Sequence, residues 1–154
     1  MVKPSSLSLA PYPQSLAGIL LAAREAVMAP IRPELRSANV TEQQWRVLRV
    51  LADCESIDAR GIATAALLYP PSVTRILKEL AERGLIQRQT DAGDGRRSII
   101  AITAEGRALV NATAAHTLKL LDQYADAFGQ ARLDALKSEI AAFTAAISPF
   151  SSGD

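Results

Sequence analysis

The chain has 154 residues, 49% of them apolar, with 17 Lys and Arg against 16 Asp and Glu. A chain of this length buries roughly 70% of its unfolded surface as one domain without metals or disulfides. The lone Cys54 excludes an intramolecular bridge, the run from Leu16 to Ala23 is too short to cross a bilayer, and Lys3 alone is too little for a signal peptide, so a cytoplasmic protein is expected.

Residues 1–15 carry Pro4, Pro11 and Pro13 among serines and lack a periodic apolar face, which predicts an arm that is flexible or packs on a partner. Leu16 to about Val27 is dense enough in apolar and small residues for a helix that Pro30 and Pro33 end or kink, within a segment 16–36 assigned to dimerisation. Thr41 followed three residues later by Gln44 is a capping-box pattern, and Trp45 to Cys54 behind it is apolar on most sides, which predicts a buried helix. Asp58 caps a short helix through Leu68, which Tyr69-Pro70-Pro71 breaks. Pro71 suits the first turn of the next helix, where Val73, Ile76, Leu77 and Leu80 recur at i, i+3, i+4 and i+7 before Gly84 stops it.

Leu85–Thr90 and Ser98–Thr103 read as short strands, and the charged, glycine-containing run Asp91–Arg97 between them makes a β-hairpin. Thr103 caps a long helix to about Phe128. After Gly129 a last helix carries Leu133, Leu136, Ile140, Phe143 and Ile147 at three- and four-residue spacing, and residues 149–154 form a tail. The expected class is mainly α with a small β-hairpin wing: a winged helix-turn-helix over 40–103, with the helices of 16–36 and 104–148 as a dimerisation lobe. Those flanking helices have no obvious partner within the chain. A second copy would bury them; folding back onto their own domain is the alternative.

On the helix beginning at Pro71 the apolar stripe faces inward, which leaves Ser72, Thr74, Arg75, Lys78 and Glu79 pointing outward. Small hydroxyls followed by cations are what a recognition helix needs, because small side chains allow close approach to base edges, Arg75 can pair with guanine and Lys78 with phosphate. A solvated face on which Arg75 merely pairs with Glu79 is the competing reading. The hairpin tip Asp94-Gly95-Arg96-Arg97 shifts the balance: two guanidiniums on a glycine-hinged ribbon can enter a narrow minor groove, with Asp94 orienting one of them.

The stretch from Val40 through Val110 resembles the MarR family of winged-helix regulators. The motifs that carry the resemblance are Pro71-Ser72-Val73-Thr74-Arg75-Ile76-Leu77, Glu82-Arg83-Gly84-Leu85-Ile86, Asp94-Gly95-Arg96-Arg97 and Ile102-Thr103-Ala104-Glu105-Gly106. Thr41 through Arg49 looks like a narrower branch that includes the repressor of homoprotocatechuate degradation operons. The resemblance implies a homodimer with interlocked terminal helices, recognition helices in successive major grooves of a double-stranded, pseudo-palindromic operator, and wings in the flanking minor grooves. It also implies release by a small phenolic or carboxylate effector. The chain departs from the family at Tyr69-Pro70-Pro71, where many relatives have small polar residues.

Trp45 and Arg49 are four residues apart and can face one cavity, offering a ring for stacking and a guanidinium fork for a carboxylate, and Arg24 can add a second cation. The resemblance matches Trp45 to an aromatic ligand-contacting position in salicylate-binding relatives. Against this, tryptophan is usually core, and Arg46 or Arg49 can pair with Asp53 or reach a partner chain. No cofactor, metal site or catalytic residue is expected: His116 lacks ligating neighbours at metal spacing, Cys54 reads as buried and inert, and no glycine loop cradles phosphate. The functional alternatives are a winged-helix module that binds protein, and a regulator without a small ligand.

Overall fold

Thr41 and Gln44 close their capping box in both directions: the Gln44 amide donates to Thr41 Oγ1 and the Thr41 amide to Gln44 Oε1, each at 3.1 Å. The structure is a computed structural model that describes residues 9–95 and 98–148. Its helices are α1 (Leu16–Met28), α2 (Arg32–Ser37), α3 (Glu42–Ala52), α4 (Ala59–Ala65), α5 (Pro70–Glu82), α6 (Ala104–Phe128) and α7 (Gln130–Ile147). Its strands are β1 (Ile57–Asp58), β2 (Ile86–Thr90) and β3 (Ser98–Ile102). The expected class, mainly helical with a hairpin wing, is the one observed. Two compact units divide at Ala114/Ala115, within α6.

The core of the first unit is built from Val47, Leu48 and Leu51 of α3, Ile62 of α4, the stripe Val73, Ile76, Leu77 and Leu80 of α5, and Ile100 of β3, all essentially inaccessible. Side chains of this size contribute about 1.5–3 kcal/mol each when fully buried, so this cluster around α5 is a principal fastening of the first unit. The antiparallel sheet has the order β1-β3-β2, with Ile86 opposite Ile102 and Arg88 opposite Ile100. Gly84, at φ +70°, ends α5 in the left-handed region while the Leu85 amide donates back to the Leu80 carbonyl at 3.0 Å.

Several elements differ from expectation. The 16–36 segment holds two helices, because Pro33 sits in the first turn of α2, where its missing N–H costs nothing, instead of kinking one long helix. The described part of the arm is ordered near its end: Tyr12–Gln14 make one 3-10 turn, and Ser15 Oγ caps α1 by accepting from the Gly18 amide at 3.0 Å. Residues 1–8 and 149–154 lie outside the described residues. The Asp58 cap forms, accepting from the Gly61 amide at 2.8 Å, but α4 ends at Ala65. There Leu67 takes φ +54°, and the Arg46 guanidinium donates to the carbonyls of Ala66 and Leu67 at 3.1 and 3.2 Å. α5 then starts at Pro70, one residue earlier than expected.

In the first unit α1 exposes Leu16, Ile19, Leu21 and Val27. The second unit contains the rest of α6 and all of α7, joined at Gly129 with φ +94°, and the Arg132 guanidinium lies 4.1 Å over the Phe128 ring beside that joint. It too presents apolar side chains outward: Leu118, Leu121, Leu136, Ile140, Phe143 and Ile147. His116 of this unit is half-buried. Among the described residues no helix is long and apolar enough to cross a membrane.

Candidate nucleic-acid interface

At about 100° per residue, Pro71, Thr74, Arg75, Lys78 and Glu82 form a stripe on α5 opposite its buried stripe. Thr74 is exposed, and the side chains of Arg75 and Lys78 keep 68% and 76% of their accessible surface. With Pro71, Ala81 and Arg88 of β2 they line one concavity of about 600 Å³. Arg88 reaches it through strand alternation. It shares a sheet face with the buried Ile86 but lies one step beyond the core, so its side chain extends over the outer edge of α5.

The cations of this groove are weakly held. Arg75 meets Glu79 at 3.4 Å and Lys78 meets Glu82 at 3.9 Å, both exposed i,i+4 pairs of the kind worth only a few tenths of a kcal/mol. A phosphate can displace such a carboxylate at little cost. Two expected outward residues sit differently. Ser72 is half-buried on the flank it shares with Glu79, and the Glu79 carboxylate also accepts from Gln44 Nε2 of α3 at 2.9 Å. Glu79 thus ties α5 to α3 instead of standing free on the outer face.

Two groove residues go beyond the sequence expectation. Arg88 stands in the body of β2 and not at the hairpin tip, and only its alternation with Ile86 signals its place. Pro71, a helix starter by its chemistry, also lies on the stripe of Arg75 and Lys78. Asp94 is exposed on the hairpin, whereas Arg96 and Arg97, the expected tip cations, lie outside the described residues.

The wing is locked to α5 at its base. Thr103 Oγ1 donates to the Gly84 carbonyl at 2.7 Å and accepts from the Gly106 amide at 3.1 Å, while the Thr103 amide donates to the Leu85 carbonyl at 3.1 Å. Arg83 braces the same end of α5 to the connection between α2 and α3, donating from its guanidinium to the carbonyls of Asn39 and Ala38 at 2.7 and 3.3 Å. The end of α5 is thus held to the base of the hairpin on one side and to the α2–α3 connection on the other.

The residues read as a ligand site are only partly brought together. Trp45 is buried, at 7% exposure, and the exposed Arg49 places its guanidinium 5.8 Å from the centre of the Trp45 ring. Arg24 faces carboxylates instead: its guanidinium meets Glu25 at 3.0 Å and Glu42 at 2.6 Å. Arg32 bonds the same Glu42 closely and Glu25 at 2.8 Å, so α1, α2 and α3 are joined by two cations and two anions. Hydrogen bonds from Arg32 first, and then Arg24, hold the Glu42 carboxyl below the ordinary carboxylate range. Arg46 is not paired with Asp53; it binds the end of α4, as described above.

Cys54 is half-buried, where full burial was expected, and its thiol donates to the Val50 carbonyl at 3.3 Å. Burial, and then the Asp53 charge, push the thiol above its ordinary value against a smaller opposing effect of Arg107, which favours the unreactive thiol form. Among the described residues no three or more His, Cys, Asp or Glu are grouped to hold a metal.

The family model described as MarR family matches residues 40–98, the segment that contains this surface. The HTH-type transcriptional regulator FarR of Neisseria gonorrhoeae is 35% identical over 122 residues, covering 79% of this chain and 84% of FarR. The homoprotocatechuate degradative operon repressor of Escherichia coli is 43% identical over 97 residues, covering 63% of this chain and 66% of that protein. The solved structure of NadR in complex with 4-hydroxyphenylacetate superposes with a TM-score of 0.76 at 33% identity, covering 93% of this chain and 97% of NadR. The repressor CouR bound to a 23-mer DNA duplex superposes with a TM-score of 0.78 at 25% identity, covering 91% and 99%. Motifs, fold and a match spanning most of FarR agree: the chain belongs to the MarR family of transcriptional regulators.

Proposed function

We propose that this chain is a homodimeric repressor of aromatic-compound catabolism that binds double-stranded operator DNA in the cytoplasm and is released by a small aromatic carboxylate or phenol. The observation that carries the reading is the groove in which Thr74, Arg75 and Lys78 of α5 meet Arg88 of β2. Its three cations are held only by weak exposed pairs or by none that competes strongly with phosphate, and its floor is a helix narrow enough for a major groove. The sequence adds Arg96 and Arg97 as candidate minor-groove cations, with Asp94 as a candidate to orient one of them, and Ser72 as a contact from the flank. The apolar faces of α1 and of the second unit supply what a second copy would cover.

Support for the effector class comes from relatives: NadR was solved with 4-hydroxyphenylacetate, and the Escherichia coli relative is named for the homoprotocatechuate degradative operon. In this chain Trp45 and Arg49 form the ring-and-guanidinium pair that such an acid would meet, and Arg24 joins them once its carboxylate partners yield. In this reading the protein acts as a regulator and not as an enzyme. Anisotropy of labelled duplexes, selected from a randomised library by the full chain, tests both halves. Tight, salt-sensitive binding that 4-hydroxyphenylacetate weakens is expected; absence of duplex binding at low salt would favour the protein-interaction alternative.

A further inference from the structure

The N-terminal end of α5 lacks most of the open donors that a helix normally presents. Pro70 and Pro71 occupy its first two positions and have no amide hydrogen. The next two amides, of Ser72 and Val73, both donate to the Tyr69 carbonyl, at 2.9 and 3.3 Å. Of the four amides that a helix start usually leaves open, those of Pro70 and Pro71 do not exist and that of Ser72 is satisfied, which leaves the Tyr69 amide alone. Backbone capture of a phosphate, the common use of such an end, takes several convergent amides and is disfavoured at this helix.

Apolar surface stands in place of the donors. Tyr69 is 73% exposed, and Pro70 and Pro71 are exposed beside it. Pro71 lies in the middle of the outward stripe, one helical turn before Arg75 and two before Lys78, and it lines the cationic groove together with Thr74. An apolar leading edge is thus continuous with the cations that would grip the backbone of a duplex. The apolar group that a major groove offers is the C5-methyl of thymine.

We propose that Pro71, with the Thr74 methyl beside it, reads thymine C5-methyl groups, so that each half of the bound duplex carries thymine where the first turn of α5 meets the base edges. This rests on the assignment of α5 as the recognition helix. It accounts for the sequence departure at Tyr69-Pro70-Pro71: donor-based reading at this end is exchanged for burial of methyl groups, and guanine or phosphate contacts are left to Arg75 and Lys78 further along the helix.

The test uses the full chain and a duplex that it selects from a randomised library. Each thymine of that duplex is replaced singly by deoxyuridine, which deletes one methyl group and alters no hydrogen bond. At one or two positions in each half-site the affinity is expected to fall about three- to fivefold, the loss that accompanies one buried methyl. Pro71→Ala, with its fold verified by circular dichroism, should lose the methyl effect at one position of each half-site, where it binds the thymine and uracil duplexes equally, while keeping the salt dependence. A wild-type protein that binds the duplex yet ignores every uracil substitution overturns the methyl reading and leaves the DNA assignment standing. Persistence of the methyl effect at every position in Pro71→Ala overturns the assignment to Pro71. A wild-type protein that selects no duplex at low salt overturns both.

Discussion

The Thr103 hydroxyl donates to the Gly84 carbonyl at 2.7 Å, joining the first residue before α6 to the left-handed residue that ends α5. The same oxygen caps α6 by accepting from the Gly106 amide. One side chain therefore links the end of α5, the base of the wing and the start of α6. Thr103→Val keeps the shape and deletes both bonds, and it should lower unfolding stability by about 1–2 kcal/mol, read from urea midpoints at unchanged slope. Affinity for duplex DNA should fall beyond what unfolding explains, because the two halves of the surface lose their common anchor. An unchanged midpoint would show that Thr103 is dispensable.

Gly106 is required by close approach. A Cβ built there would stand 2.1 Å from the Leu85 carbonyl oxygen and 2.8 Å from Ile102 Cγ1, and backbone cannot move aside as a flexible side chain can. Gly106→Ala should therefore destabilise by about 1–3 kcal/mol even though alanine is the better helix former. Thermal unfolding followed by circular dichroism measures it; a gain in stability would mean that α6 does not seat on the wing base.

The ion-pair cluster of Arg24, Arg32, Glu25 and Glu42 makes stability depend on acid. Glu42 has its folded pKa depressed, so its contribution is fully present above the unfolded value, about 4.3, and is lost as pH falls through the lower folded value. Glu42→Gln should flatten the acid limb of the stability curve over that window and leave the alkaline limb unchanged. Identical acid limbs in the two proteins would show that Arg32 and Arg24 do not hold this carboxylate in solution.

Much of the reading head was legible in the sequence because local chemistry and tertiary packing agree there. Thr41 and Gln44 pair at a fixed spacing, Gly84 is needed at positive φ, and the α5 stripe recurs at helical period; each signal lies within a few residues. What escaped depends on partners distant in the chain. β1 is two residues long, too short to show alternation, and exists only because Ile57 and Asp58 pair with Ile100 and Ile99 of β3. The bond that ties Glu79 to Gln44, 35 residues away, leaves no trace in periodicity, which points Glu79 outward. Arg24, expected as a ligand cation, meets Glu42 of α3, and Arg46, for which the sequence offers Asp53 as a partner, meets the carbonyls of Ala66 and Leu67 instead. The wing tip was the clearest sequence signal for DNA, yet Arg88 occupies the described groove.

Trp45 is the chain's only tryptophan, so its fluorescence reports on one place. Titration with 4-hydroxyphenylacetate should change its emission saturably, because a carboxylate drawn to Arg49 would meet the guanidinium that lies over the ring. Arg49→Ala should weaken that binding about tenfold or more, the usual cost of one charge-assisted contact. Equal affinity in the variant would remove Arg49 from the ligand site.

If α5 and the sheet present one DNA-binding surface, as proposed, cations from both set the salt dependence of duplex affinity. Lys78→Ala and Arg88→Ala remove exposed side chains on two different elements, so neither should change stability by more than about 0.5 kcal/mol. If both cations neutralise phosphates, each variant should lower the slope of log affinity against log salt by about 0.9 relative to wild type. A slope that falls for Lys78→Ala and stays at the wild-type value for Arg88→Ala would contradict the shared surface.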